Sequence, residues 1–288
     1  MRNERINFII PDFVNMVECV YFLDTFKNHN EVYKENINIL GLSGKLNGCG
    51  WNNKDKSDIY KLELDAIKSM KQKYNDEYKT SLFIFFDKEE VSNKDLDDEY
   101  CNELIKIFDN KYNFVICKSV KLSSYIKEKC KNITVLTEEE SSVYNLKLFS
   151  NVNINELNDE QKRKMIIIAD GGQIPNKKFM FKHTKKDSIL NKLNPKDDKY
   201  YTNKNNLSFC QMKKNKNYLE YDEIIKLANN GINNFLLSGF GMYNFAMIEN
   251  IVSYLIKEEY RMDSRICMST YIFNEVSKEC NAIFNYRI

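Results

Sequence analysis

The chain has 288 residues and 43% of them are apolar, enough for one large domain or two small ones with a full buried core. That composition excludes a disordered chain as the default reading. The formal net charge of +2 exerts no global pull toward nucleic acid or a membrane surface.

The apolar pattern predicts a first strand over Ile6–Ile10, ending at Pro11-Asp12, and a helix within Val14–Tyr33. A second strand over Ile37–Leu42 runs into a loop of small residues, Ser43 to Asn53. An amphipathic helix over Ile59–Lys79 precedes a third strand, Ser81–Phe86, which ends at Asp87. Asp95–Asn110 reads as one helix, because Asp95, Asp97, Asp98 and Glu99 suit the positive end of its dipole. A fourth strand over Phe114–Cys117 ends at Ser119, and a helix over Val120–Cys130 follows. Strands five and six are read at Ile133–Leu136, ending at Glu138, and at Leu146–Phe149, ending at Ser150. A short helix over Ile154–Lys162 leads to Met165-Ile166-Ile167-Ile168-Ala169, an apolar run that stops at Asp170-Gly171-Gly172-Gln173. Tyr221–Asn229 is a helix closed by Gly231, and Phe235–Leu237 is an eighth strand ending at Ser238-Gly239. Helices over Phe245–Lys257 and Ser269–Ala282 finish the chain.

Eight short apolar strands, mostly separated by helices, predict an α/β fold: a (β/α)8 TIM-barrel-like single domain spanning 1–288. One junction does not fit, since too little chain lies between strands five and six for a crossover helix. An open doubly wound sheet is the other fold compatible with the pattern.

The eight cysteines are Cys19, Cys49, Cys101, Cys117, Cys130, Cys210, Cys267 and Cys280. None form a Cys-x-x-Cys pair, so reduced thiols are expected, not a disulfide framework or a zinc site. Only a short apolar run follows Met1-Arg2-Asn3-Glu4-Arg5, so no signal peptide is predicted. No run approaches the ~20 residues of a membrane helix. These features predict a cytoplasmic protein with no membrane partner.

Residues 177–220 differ from the rest, and are read as a basic lid or insertion between strands seven and eight. From Lys177 to Lys216, twelve lysines face three aspartates, a charge of +9, leaving about −7 for the remainder. Lys177, Lys178, Lys185 and Lys186 are candidate anion contacts. Interleaved Phe179, Phe181, Tyr200, Tyr201 and Phe209 give the composition of a single-stranded RNA surface, although charge runs are more often solvated loops.

In a barrel the strand ends converge on one rim, where a polar ligand binds. Asp12, Asp87 and Asp170 are the catalytic candidates there, either dividing acid and base roles or sharing a divalent cation such as Mg²⁺ or Mn²⁺. The competing reading is that Asp and Ser at strand ends cap the following helices. Ser43, Asn47, Trp51, Asn52, Asn53, Gln173 and Ser238 are candidate substrate contacts. Trp51, the only tryptophan, either stacks on a ring or plugs the barrel mouth. Cys49 is the one cysteine placed like a nucleophile, with His183 as its conceivable base; His29 sits near a helix end.

Four segments carry a resemblance: Asn47-Gly48-Cys49-Gly50-Trp51-Asn52-Asn53, Asp97-Asp98-Glu99-Tyr100-Cys101-Asn102, Ser123-Ser124-Tyr125-Ile126, and Ser253 to Arg261. Together they resemble bacterial barrel proteins related to the U32 peptidase family. The resemblance implies a TIM-barrel-like fold and a hydrolase or a modification enzyme. Relatives carry a Cys-rich segment after the strand matching Met165–Ala169 and a Glu-Gly-Arg-like turn after the last strand. Here Asp170 to Lys178 has no cysteine and the last turn reads Ser238-Gly239-Phe240, so an iron–sulfur cluster is not expected. Two functions remain open: an enzyme acting on a small or peptide-like polar substrate at the rim, and a non-catalytic accessory protein that binds an anionic partner such as RNA.

Overall fold

The computed structural model describes residues 5–14, 18–46, 48–53, 61–137, 143–144, 157–170, 209–213, 218–237 and 244–285. Its strands are β1 (Ile6–Pro11), β2 (Ile37–Gly44), β3 (Ser81–Phe86), β4 (Phe114–Cys117), β5 (Thr134–Thr137), β6 (Val143–Tyr144), β7 (Ile166–Ile168) and β8 (Asn234–Leu236). They form one sheet in the order β5-β4-β3-β2-β1-β8-β7-β6, with every neighbouring pair parallel. Traced around a circle, this is the consecutive order of a (β/α)8 barrel cut once, between β5 and β6.

The cut falls where the sequence left too little chain. Only 138–142 lie between β5 and β6, whereas a parallel pair needs a crossover of about a dozen residues. Among the described residues, β5 and β6 are therefore the sheet's two edges. The sixth strand also shifts: Val143–Tyr144 pairs with β7, while the expected Leu146–Phe149 lies outside the described residues.

The helices are α1 (Glu18–Asn28), α2 (Leu64–Gln72), α3 (Asn93–Leu96), α4 (Glu99–Phe108), α5 (Val120–Lys129), α6 (Asp159–Lys164), α7 (Phe209–Lys213), α8 (Tyr221–Asn229), α9 (Asn244–Leu255) and α10 (Arg261–Asn285). The single helix expected over Asp95–Asn110 is two, because its acidic cluster holds two separate caps. Ser92 and Asp95 form a capping box that starts α3, and Asp98 accepts from the Cys101 N–H to start α4. α8 matches its predicted bounds, and Gly231 beyond it has φ +88°, a conformation that favours glycine.

Both faces of the sheet are covered, which is why its strands read as continuous apolar runs. Ile9, Phe83, Ile116, Ile168 and Leu236 cluster on the inner face. Phe8, Ile10, Leu82, Ile84, Val115, Ile167 and Phe235 join the larger core against the helices. Gly41 is required by the inner packing: a Cβ there would lie 2.6 Å from the Phe83 ring. At the N-terminal end the inner face turns polar. Asn7 donates to Asn234 (3.0 Å) and accepts from Asn38 (2.9 Å), so these half-buried amides satisfy one another.

The basic segment begins and ends at one place. Asp170 forms an antiparallel bridge with Tyr218, and the Leu219 N–H donates to the Ala169 carbonyl at 2.8 Å. The excursion 171–217 thus leaves and rejoins the sheet at the C-terminal end of β7. No helix among the described residues is long and apolar enough to cross a membrane.

Candidate functional site at the C-terminal ends of the strands

Because all strands are parallel, Asp12, Ser43, Asp87, Ser119 and Asp170 lie at the same end of the sheet, as expected. Their side chains do not act as one group. Among the described residues, no three His, Cys, Asp or Glu side chains are grouped to hold a metal ion, so Asp12, Asp87 and Asp170 do not form a shared cation site.

Asp170 is fully buried, and its carboxylate turns toward α9, where Asn250 donates to it at 3.3 Å. Tyr254, one turn further along α9, places its hydroxyl 2.8 Å from the Ala169 carbonyl and 2.7 Å from that of Leu219. Asp12 has φ +60° and sits near the start of α1. Burial pushes the Glu18 carboxyl up, and the Asp12 carboxylate adds to the effect. Ser43 is buried, with its hydroxyl 3.4 Å from the Ile10 carbonyl. Ser119 accepts from the Leu122 N–H as the N-cap of α5, which is the capping role weighed for such residues.

Asp87 is the best-organised member. Its Oδ2 lies 2.6 Å from the Lys45 ammonium, and its Oδ1 accepts from the Asn53 N–H at 2.8 Å. The Asn53 amide donates to the Asp87 carbonyl at 2.7 Å, and the Asp87 N–H donates to Asn52 at 3.3 Å. Asn52 in turn donates to the Leu46 carbonyl at 3.0 Å. Asp87 and the two asparagines therefore fasten the β2–α2 loop to the end of β3. The register pairs Phe86 with Cys117, which places Lys118 beside Asp87. Lys118 is almost fully buried and contacts Glu89 at 2.7 Å. Next to it, Lys88 contacts Asp95 at 2.5 Å.

Lys45, Lys118 and Glu89 were not among the residues singled out from the sequence. A signal was available in strand alternation. Lys45 is two residues past Ser43, Asp87 two past Phe85, and Lys118 two past the inner-face Ile116.

Trp51 is fully buried. Its indole N–H donates to the Asp95 carbonyl at 2.7 Å, and its ring meets Phe86 and Tyr125 edge-on at 5.2 and 6.1 Å. It fills the core between sheet and helices, so no ligand stacks on it in this arrangement. Cys49 is buried against Cys101, and burial pushes its thiol well above the ordinary range, with the Cys101 contact adding to the shift. That suppresses the thiolate a nucleophile needs. His29 is exposed beside Glu31. Asn47, Glu138, Ser150, Gln173, His183, Ser238, Lys177, Lys178, Lys185 and Lys186 lie outside the described residues.

Three of the segments that carry the U32 resemblance meet in space. The Gly50 N–H donates to Cys101 Sγ (3.0 Å), Tyr125 donates to Asn102 (2.8 Å), and Tyr125 packs on Trp51. A Cβ on Gly50 would lie 2.8 Å from the Asp98 carboxylate. These residues lock the β2–α2 loop, α4 and α5 together, which is a packing role. Comparison with family models, with curated proteins and with solved structures finds no match for this chain.

Proposed function

We propose that this chain is an enzyme of closed (β/α)8-barrel type and U32-like descent that takes a small polar substrate bearing an anionic group at its C-terminal rim. The observation that carries the reading is the Lys45–Asp87 pair, with Lys118 at the end of β4 held by Glu89 from the loop after β3. Each lysine is held by a carboxylate from the segment that follows β3, so its charge is oriented before a ligand arrives. Asp87 is occupied on both oxygens and acts as a positioning residue. Lys45, the more exposed of the two amines, is the group able to touch substrate. The basic excursion starts and ends on the same rim, at Asp170 and Tyr218.

Native mass spectrometry of the protein purified from its own cells tests this. A bound small anion that is lost in Lys45→Gln/Lys118→Gln supports it. An empty wild-type protein, or equal loading of both, contradicts it.

A second reading rests on the twelve lysines between Lys177 and Lys216: a non-catalytic protein that holds single-stranded RNA. It requires RNA affinity that falls steeply with salt and is lost on neutralising Lys177, Lys178, Lys185 and Lys186.

A further inference from the structure

An apolar row lies directly beneath the charged rim, on the inner face of the sheet. Along β3, Ile84 and Phe86 join the core under the helices, whereas Phe83 and Phe85 pack with the inner cluster. The register sets Phe85 beside Ile116 of β4, and Ile116 beside Leu136 of β5. These three side chains therefore form one row across three adjacent strands. Ile116 is buried, while Phe85 and Leu136 on either side of it are only half-buried.

The charges stand on the same face, one step nearer the rim. Asp87 is two residues beyond Phe85, and Lys118 is two beyond Ile116. The Lys118 N–H donates to the Phe86 carbonyl at 2.9 Å, so the ladder, and with it the alternation, continues to Lys118. Gly44 pairs with Ile84, which brings in Lys45 at the level of Phe85, and the Lys45 amine reaches on to Asp87.

We infer that the ligand of this rim is an organic anion with two unlike ends: a charged group met by Lys45, and an apolar body that covers Phe85 and Leu136. The inference rests on the reading of the rim as an anion site and adds what the rest of the molecule must be. Charge complementarity fixes the orientation, because the cations stand above the row and not within it. A body rich in hydroxyls would give up water against Phe85 and Leu136 and find no hydrogen bond there. An aryl or short acyl body gains by removing the same surface from water. Leu136 lies on an edge strand among the described residues, so no neighbouring strand closes the row on that side.

The test is calorimetric titration of the intact protein with three anions: inorganic phosphate, phenyl phosphate and glycerol 3-phosphate. Phenyl phosphate should bind at least about tenfold more tightly than inorganic phosphate, which corresponds to about 55 Å² of ring surface withdrawn from water. Glycerol 3-phosphate should gain no such advantage. The ratio of the phenyl phosphate to the phosphate affinity should fall at least about threefold in Phe85→Ser and in Leu136→Ser, each checked for its fold by circular dichroism. Lys45→Gln should weaken both ligands and leave that ratio in place. Phosphate bound, with phenyl phosphate no tighter or glycerol 3-phosphate equally favoured, would overturn the apolar half and leave the anion site standing. A phenyl preference that persists in a folded Phe85→Ser or Leu136→Ser protein would overturn it too. No binding of any of the three would remove the anion site itself, and this inference with it.

Discussion

Lys45 Nζ and Asp87 Oδ2 stand 2.6 Å apart, joining the ends of two adjacent parallel strands, β2 and β3. The carboxylate is almost fully buried and the lysine about one-third exposed, so the pair bridges core and solvent. Removing the Asp87 charge takes away the partner of Lys45 and weakens the tie to the Asn53 N–H. Asp87→Asn should destabilise the protein by about 1–3 kcal/mol, measured by urea denaturation. The loop at Asn52–Asn53 should lose hydrogen-exchange protection in the same variant.

Trp51 belongs to the core. Trp51→Ala should cost about 3–5 kcal/mol, because it leaves a large cavity beside Phe86 and Tyr125. As the only tryptophan it also reports on itself. Its emission should be blue-shifted in the native protein and move to the red in step with unfolding. A solvent-like emission in the folded state would contradict the burial.

Thiol reactivity should divide by burial. Cys210 and Cys267 are exposed and should react with iodoacetamide in the native protein within minutes. Cys49 and Cys101 should stay unmodified until the chain unfolds, since Cys49 is both covered and held as a thiol. Peptide mapping after timed alkylation reads the difference.

Asp95 sets an acid limit on the loop that carries Trp51. The Lys88 side chain, followed by the Ser92 backbone and hydroxyl, holds its carboxyl down at about 2. The folded value lies below the unfolded one, so the contribution is present above about pH 4 and is lost as pH falls toward 2. Asp95→Asn should remove part of the acid sensitivity, seen as a flatter stability profile between pH 4 and 2.

Strands buried on both faces announced themselves as apolar runs, and β3 and β4 match their expected bounds to the residue. The junction between β5 and β6 was legible too, because chain length alone forbids a normal crossover there. Other features depended on contacts that sequence does not display. The acidic group at Asp95–Glu99 reads as one helix start, and only the hydrogen bonds to Ser92 and Cys101 divide it into two caps. Trp51 among glycines and asparagines left stacking on a ligand and plugging the barrel mouth equally open, because nothing in its neighbours reveals Phe86 and Tyr125. Asp87 was found from its place at a strand end, whereas Lys45 and Lys118 were not singled out. Register, which sequence does not give, is what places Lys118 beside Asp87.

The rim's cationic character can be measured most directly by titrating inorganic phosphate into the intact protein in a calorimeter, at low salt. Wild-type protein should bind phosphate, and Lys45→Gln/Lys118→Gln should bind it at least about tenfold more weakly while keeping its fold, as expected for the loss of the Lys45 contact and of the Lys118 charge behind it. Equal affinity in the two proteins, or no binding by the wild type, would contradict the rim site.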